Sequence, residues 1–346
     1  MKPTASLPPV LLQPRCQCGL TLVELLIALV LGLLLLGSLL SLHASSSQTY
    51  RTQVALSRLQ ENGRFALELL VRELHNAGHL PGCTGVRNSR LATGHDPDLH
   101  TLYGFDLLLG GWQRTPGPYS GSLAVSGSDS LLVKYARRSS GLRLAAPLPA
   151  EGGTPSFSGG PEPAAGSLVL LSAGASCDLL QNAGATTQPG NHPGTLRPLS
   201  RRHDAASEVH QLHTRLYYIG QATSSTLPGL RQRSFDLGLP AADQELVEGI
   251  VDMRLCYGID QHRQRRADAF VPADAVSDWS RVVAVRVTLL AVSLTDGLGE
   301  GNGPPPELED CDGHPGDAPR LSARILNERR LWRSFSTTVA LRNRLP

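Results

Sequence analysis

The chain has 346 residues, a formal net charge of +2 and 41% hydrophobic residues. Its length is too great for a small disulfide-stapled peptide and allows a membrane helix with one large or two small globular units. Lys2 and Arg15 precede a long apolar stretch and account for the whole excess of positive charge. The remainder is neutral, so overall charge gives no reason to expect nucleic-acid binding.

The first predicted element is an apolar stretch from Leu20 to Leu42 with a single charged side chain, Glu24. At ~1.5 Å per residue, a helix of this length reaches roughly 35 Å, enough to cross a bilayer. An ionised side chain in lipid costs a few kcal/mol, so Glu24 indicates a partner and a function.

The string Gly19-Leu20-Thr21-Leu22-Val23-Glu24 resembles the signal of type IV prepilins, although pilins usually have phenylalanine where Leu20 stands. The resemblance implies a leader over residues 1–19, peptidase cleavage after Gly19 and methylation of the new amine on Leu20. The carboxylate of Glu24 favours the N-terminal end of its own helix dipole. It can also neutralise the amine of a staggered neighbouring helix and so set the axial register of a bundle.

Two other interpretations of this stretch stay open. A secretory signal peptide could be cut near the small residues 44–46, but its apolar core usually has ~7–15 residues and no acid. An ordinary signal anchor would use Lys2 and Arg15 to hold the N-terminus in the cytoplasm. Neither explains why Gly19 and Glu24 have this spacing.

Residues 51–77 predict an amphipathic helix that continues the apolar one, so that the helical region covers residues 20–78. Apolar residues recur at short helical steps: Val54, Leu59, Ala66, Leu69 or Leu70, and Leu74. Arg64, Glu68 and Arg72 are spaced for ion pairing on the wet face. Gly78, Pro81 and Gly82 end the helix.

Residues 79–346 predict a β-rich head. The candidate strands are Ser130–Ala136, Ser167–Ser172, Thr214–Gly220, Leu230–Phe235, Met253–Ile259, Val282–Val292 and Phe335–Leu341. Alternation is clearest from Val283 to Leu289, which predicts one buried and one wet face. Residues 242–251 could instead form a short helix before the Met253 strand. The whole chain is therefore predicted to be α+β, with a long helix packed on a mainly antiparallel sheet.

Four segments rich in Gly, Pro and Ser predict exposed loops: Gly110–Gly121, Pro147–Gly166, Gly184–Pro198 and Gly297–Pro319. The second of these could divide the head into two lobes.

Six cysteines divide into Cys16 and Cys18 in the leader and four in the exported part: Cys83, Cys177, Cys256 and Cys311. An even number in an oxidising compartment predicts two disulfides, with three pairings open. Proximity weakly favours Cys83 with Cys177 and Cys256 with Cys311. No close C-x-x-C spacing indicates zinc or redox chemistry.

The downstream sequence resembles the PilW family of type IV pilus minor pilins. The similar blocks are Gln48–Gln53, Leu56–Leu67, Ala77–Gly78, Leu216–Ile219, Leu246–Ile250, Leu255–Asp260, Asp278–Trp279, Val282–Val287 and Phe335–Asn343. The segment 85–210 is covered poorly.

The resemblance implies a low-abundance pilin that primes or caps the fibre and supports piliation, twitching motility and adhesion. Its implied partners are other minor pilins, the major pilin, the prepilin peptidase and the inner-membrane assembly platform. The implied location is the inner membrane, with the head in the periplasm, and later the pilus at the cell surface. No catalysis and no cofactor are implied. A minor pseudopilin of a type II secretion system and a membrane-anchored periplasmic enzyme are the alternatives.

Other candidate chemistry is weak in this sequence. Arginines in the loop Asp260–Asp268 would repel Ca²⁺, and the acidic loop Glu307–Asp312 has no recognisable ligand spacing. The pairs His75/His79 and His210/His213 lack a third metal ligand. There is no G-x-S-x-G and no Walker A motif. The loop arginines, with Arg201 and Arg202, could form a basic patch, but no aromatic residues are interleaved with them for base stacking.

Overall fold

The computed structural model describes residues 21–83, 87–89, 108–117, 120–151, 153, 155–164, 167–173, 176–182, 199–223, 226–236, 242–298, 305–314, 325–326 and 328–344. Contacts divide the chain into two compact units, residues 1–53 and 54–346.

Helix α1 covers Leu22–Asn76, a run of 55 residues. It begins after Thr21, whose hydroxyl accepts the backbone N–H of Glu24 at 3.2 Å and so caps the first turn. It ends before Gly78, whose φ of 75° is the left-handed conformation that glycine tolerates at helix ends. In its second half one side is buried: Ala55, Leu59, Gly63, Ala66, Leu70, Glu73 and Leu74.

The predicted wet face of this half is confirmed. Arg64, Glu68 and Arg72 are all exposed. The apolar periodicity therefore identified the correct face of the helix.

Thirteen strands are present in the described residues. They are β1 (Arg87–Ser89), β2 (Leu109–Trp112), β3 (Ser130–Leu144), β4 (Phe157–Ser158), β5 (Leu168–Ala173), β6 (Ser176–Gln181), β7 (Glu208–Gln221), β8 (Pro228–Ser234), β9 (Ala242–Glu248), β10 (Ile250–Ile259), β11 (Ala269–Val271), β12 (Val282–Val292) and β13 (Trp332–Ala340). All seven predicted strands are confirmed, some of them longer than predicted.

The strands form two sheets. The large sheet has the order β1-β6-β5-β7-β3-β2, with β4 paired to β3 and the β8–β9 pair joined to β7. The small sheet has the order β11-β10-β12-β13. Every pairing is antiparallel except that of β1 with β6. The α+β prediction with mainly antiparallel pairing is confirmed.

The small sheet packs one face against the buried side of α1. Val285, Val287 and Leu289 of β12 share a hydrophobic core with Leu59, Ala66, Leu70 and Leu74 of the helix. The alternation along β12 places these residues on the same face. Large-sheet residues, such as Leu131 and Val133, join the same core.

The alternative of a short helix over residues 242–251 is wrong. These residues form β9, a turn at Gly249 with φ of 78°, and the start of β10. The sequence Ala-Asp-Gln-Glu-Leu favours a helix locally, but pairing of Ala242–Glu248 with β8 gives the segment a strand conformation. Tertiary pairing overrides helix propensity here.

Three of the predicted loops contain strand residues or buried side chains. Gly110–Gly121 includes most of β2, and a side chain at Gly111 would collide with the Tyr257 hydroxyl, so this glycine permits close packing rather than a free loop. Within Gly297–Pro319, Pro305 and Leu308 are buried. Within Pro147–Gly166, Leu148 is buried, and Phe157–Ser158 form strand β4. The segment Gly184–Pro198 lies outside the described residues.

Candidate functional site

The first candidate site is the start of helix α1. Large apolar side chains from Leu22 to Leu42 are each more than half exposed, between 52% and 74%. The helix is long and apolar enough to cross a membrane. Exposed apolar side chains on every side of a helix fit a lipid environment, because water would oppose their exposure.

Glu24 lies in the first turn of this helix. Its backbone N–H is bonded to Thr21, which is half of a capping box. Among the described residues, no cation pairs with its carboxylate. Gly19 and Leu20, the predicted processing positions, lie outside the described residues.

A polar cluster anchors the second half of α1 to the large sheet. Glu73 is buried, and its carboxylate accepts the Tyr135 hydroxyl at 3.1 Å and an Arg215 N–H at 3.5 Å. Burial, and then the nearby Glu73 charge, raises the pKa of Tyr135, so this hydroxyl remains a donor. Arg215 also lies 3.9 Å from Asp236, which bonds the His213 ring at 2.6 Å. These contacts fix the helix to β3 and β7.

A second polar cluster joins the two sheets. The Asp129 carboxylate, beside β3, accepts the backbone N–H groups of Arg114 and Leu255, both at 2.7 Å. The Ser128 hydroxyl accepts the N–H of Met253 at 2.8 Å. Burial raises the pKa of Asp129, while these backbone hydrogen bonds oppose the rise. The contacts fix the position of β10 against the large sheet.

Two disulfides hold segments onto the sheets. Cys83 is joined to Cys177 of β6, and Cys256 of β10 is joined to Cys311. This is the pairing that sequence proximity favoured. The second bond holds the described residues 305–314 beside β10, where the Cys311 carbonyl accepts an Arg286 N–H at 2.7 Å.

Ser, His and Asp side chains do converge, but in a non-catalytic order. The carboxylate of Asp178 accepts both the Ser200 hydroxyl and the His203 ring nitrogen, each at 2.7 Å. A hydrolase triad requires histidine between the serine and the acid, so that the base removes the serine proton. Here the acid lies between them, and Asp178 and His203 are both fully buried. The cluster therefore holds residues 199–203 against β6.

The predicted metal candidates are not grouped by the fold. Within the ranges that the structure describes, no three His, Cys, Asp or Glu side chains form a group that could hold a metal. Helix α1 ends at Asn76, so His79 does not share a helix face with His75. His210 and His213 point to different acids, Glu208 and Asp236.

The loop from Asp260 to Asp268 is ordered by its own acids. Asp260 accepts the backbone N–H groups of Gln264 and Arg265, at 2.9 and 2.7 Å. Asp268 accepts the Gln261 N–H at 2.8 Å and the His262 ring at 3.0 Å. Arg263, Arg265 and Arg266 are exposed. The two carboxylates therefore accept hydrogen bonds from the loop and hold its backbone in place.

A groove of about 590 Å³ runs along the exposed side of the second half of α1. It is lined by Arg64, Leu67, Glu68, Val71, Arg72, His75 and Asn76 of the helix region and by Thr337 of β13. Half-buried Leu67 and Val71 form its apolar floor. The groove therefore offers a partner an apolar strip with charged rims.

Comparisons with known proteins match both ends of the chain. Residues 14–40 match the prokaryotic N-terminal methylation motif, a range that contains Gly19, Leu20 and Glu24. Residues 216–343 match the family described as Type IV Pilus-assembly protein W. The two matches support a minor pilin of type IV pilus assembly. They also favour a structural over an enzymatic role for the chain.

Two further comparisons are with curated protein sequences and with solved structures. A comparison with curated protein sequences finds no match. A type IV-like pilin from Thermus thermophilus aligns with 84% of this chain and 99% of its own length, at 14% identity and a TM-score of 0.31.

The sequence did not indicate several of the residues that organise the head. Glu73 gives no signal in the sequence, because it lies beside Leu74 in an otherwise apolar pattern. Asp129 gave no signal because the residues that it contacts, Arg114 and Leu255, are distant from it in sequence. Gly63 lies against the ring of Phe335 in β13, and the one signal for it in the sequence was a glycine on the buried face of a predicted helix.

Proposed function

We propose that this minor pilin is cut after Gly19, methylated on Leu20 and transferred from the inner membrane into a type IV pilus. The observation that carries the proposal is the methylation motif over residues 14–40, on the same chain as the match to the pilus-assembly family. The pilus match also favours this role over that of a pseudopilin in type II secretion.

Before assembly, the apolar helix holds the chain in the inner membrane. Lys2 and Arg15 keep the leader in the cytoplasm, because cations flanking a span favour that side. The head, from residue 79 onward, then lies in the periplasm. Its two disulfides support this orientation, since the periplasm is an oxidising compartment.

Cleavage converts a neutral peptide bond into a charged amine on Leu20. The amine lies about one helical turn from Glu24, at the positive end of the helix dipole. In a bundle of staggered helices, the carboxylate of one subunit pairs with the amine of the next. The low dielectric of lipid strengthens that attraction. Charge pairing then sets how far each helix advances along the bundle.

The partners proposed for this chain follow from that role. They are the prepilin peptidase, the inner-membrane assembly platform, other minor pilins and the major pilin. The head contributes no catalysis and needs no cofactor in this role; together with the other minor pilins it primes or caps the fibre. Piliation, twitching motility and adhesion depend on it through assembly.

Mass analysis of the N-terminus tests the processing step. The full chain is expressed with and without a prepilin peptidase and extracted from membranes. We expect a methylated N-terminus on Leu20 with the peptidase, and uncut chain with Gly19→Val, because the larger side chain blocks the cut. Gly37→Val makes the same change inside the apolar helix and should be cut normally. A mature chain that begins at Met1, or beyond residue 44, contradicts the proposal.

Deletion separates pilus assembly from secretion. Loss of surface pili with normal protein secretion is expected. Loss of secretion with normal pili would instead identify a pseudopilin.

A further inference from the structure

Strand β13 forms one edge of the small sheet. It pairs with β12 over nine consecutive residues with no register shift, from Val292↔Trp332 to Ala284↔Ala340. In the parts of the chain that the structure describes, no strand pairs with its outer side.

Two hydrogen bonds fix which backbone groups of β13 point outward. Leu341 donates its N–H to the Val283 carbonyl at 2.8 Å, and Ser293 donates to the Leu331 carbonyl at 2.9 Å. In an antiparallel pair, residues bonded to the partner alternate with residues that face away. Odd-numbered residues from 331 to 341 therefore bond to β12. The outward N–H and C=O groups belong to Trp332, Ser334, Ser336, Thr338 and Ala340.

This edge lacks the protection that isolated sheet edges usually carry. Native edges are blunted by charges, proline, bulges or short length. Strand β9 is an example: its seven residues include Asp243, Glu245 and Glu248, and its pairing with β8 contains a register shift. In contrast, β13 has the sequence WRSFSTTVA, with Arg333 as its only charge and no proline. Its long, regular edge is suited to accept another strand.

The groove beside α1 determines which side chains a strand added to this edge can carry. Odd-numbered side chains of β13 face the helix: Phe335 packs on Gly63, and Thr337 lines the groove. A strand added to β13 alternates its side chains in the same way. Every second side chain of that strand would enter the groove above Leu67 and Val71. The groove therefore selects small or medium apolar residues at alternate positions.

We propose that β13 accepts an extended strand from another subunit of the pilus assembly, which continues the small sheet and fills the groove beside α1. Backbone hydrogen bonds to the outward groups of β13 supply affinity, and the groove supplies specificity. That the partner is a pilus subunit rests on the proposed function. The strand-adding geometry rests only on the register and the groove.

Proline substitution tests the outward hydrogen bonds. Thr338→Pro removes an outward N–H and places a ring against the incoming strand, while the bonds to β12 remain. Thr338→Ala keeps the N–H and is the matched control. With each as the sole copy, we expect Thr338→Ala at the parental level in sheared pili and Thr338→Pro reduced at least about tenfold. N-terminal cleavage and the melting temperature in detergent should be unchanged. Ser334→Pro is the second variant. Ser336 is not used, because its hydroxyl forms a hydrogen bond with the Thr288 hydroxyl of β12 and a substitution there would also disturb the β12 pairing.

Photo-crosslinking provides a readout that does not depend on proline variants folding. A benzoylphenylalanine is placed at Ser334 or at Thr338 of the full chain in living cells, and the crosslinked residues are mapped. Strand pairing predicts that moving four residues along β13 moves the crosslinked site by about four residues along one extended partner segment.

The outcomes separate this proposal from the proposed function. Crosslinks that do not shift in step, or Thr338→Pro that enters pili like Thr338→Ala, overturn the strand addition. A parental chain that is uncut and absent from pili overturns the proposed function, and the crosslink register still decides whether β13 accepts a strand.

Discussion

At the scale of single residues, Asp252 makes the stability of the head depend on pH. Burial raises its pKa to about 6, although Arg254 lies 3.1 Å away and opposes the rise. The pKa of an unfolded aspartate is about 3.9. The folded state therefore binds this proton more tightly than the unfolded state. The stabilisation is complete below about pH 4 and is lost as the pH rises through about 6.

We predict that Asp252→Asn removes this component of the pH dependence. Between pH 4 and pH 7 the free energy of unfolding of the parental chain should fall by on the order of 2–3 kcal/mol more than that of the variant. Denaturant titrations of the full chain in detergent measure the difference. Asp268→Asn is a control, because the hydrogen bond from His262 lowers the pKa of Asp268. The stability that this carboxylate contributes is lost only as the pH falls below about 4, so the variant should follow the parental curve between pH 4 and pH 7. Parallel pH curves for Asp252→Asn and the parental chain would contradict the assignment.

Residues differ in how much their role could be predicted from the sequence. Glu24 stands out as a candidate because a carboxylate inside an apolar stretch is anomalous by itself, and its role stays a prediction. The role of Asp129 could not be predicted, because its partners Arg114 and Leu255 are brought to it only by the folding of two sheets. Its local sequence, Gly-Ser-Asp-Ser, is typical of any turn.

At the scale of elements, packing of α1 on β13 depends on Gly63. A side-chain carbon at this position would collide with the ring of Phe335. At an exposed helix position, replacing Gly with Ala raises the free energy of unfolding by about 0.5–1 kcal/mol, because alanine loses less backbone entropy on folding. Here overpacking costs about 1–3 kcal/mol and outweighs that gain.

We therefore predict that Gly63→Ala lowers the free energy of unfolding by about 1 kcal/mol. Phe335→Leu provides space, so the double variant should be more stable than the sum of the two single effects. Denaturation of the four proteins gives this coupling directly. A stabilising Gly63→Ala, or strict additivity, would show that the helix does not rest on this ring.

The elements also show where periodicity is sufficient and where it fails. Strand β12 was predicted with its correct bounds, because alternation of Val and Leu with Ala, Arg and Thr marks a half-buried strand. For strand β9 a short helix was the alternative offered, because its residues favour helix locally. The pairing with β8, from Ser234↔Ala242 to Gly229↔Glu248, leaves no mark in the sequence of β9 itself. The fold class could be inferred from such patterns. The branching of the large sheet at β7 could not, since alternation fixes faces and not neighbours.

At the scale of the whole molecule, the role proposed for Glu24 would connect the chain to its assembly. At an effective dielectric constant of 20, opposite charges 4 Å apart attract by about 4 kcal/mol. No described residue of this chain neutralises the carboxylate, so the amine of a neighbouring subunit is the proposed partner. Losing the charge should weaken incorporation into the fibre without altering the peptide bond that is cut.

We predict that Glu24→Ala and Glu24→Gln are processed at Gly19 but enter pili at least about tenfold less than the parental chain, a change of about 1.4 kcal/mol or more. Glu24→Asp keeps the charge on a shorter side chain and should be intermediate. Glu61→Ala removes an exposed acid from the second half of the same helix and should assemble normally. The ratio of cut chain in sheared pili to cut chain in membranes measures the effect. If Glu24→Gln assembles like the parental chain, the attraction between carboxylate and amine does not set the register. The favourable interaction of a carboxylate with the N-terminal end of the helix dipole is then left as the reason for an acid at this position.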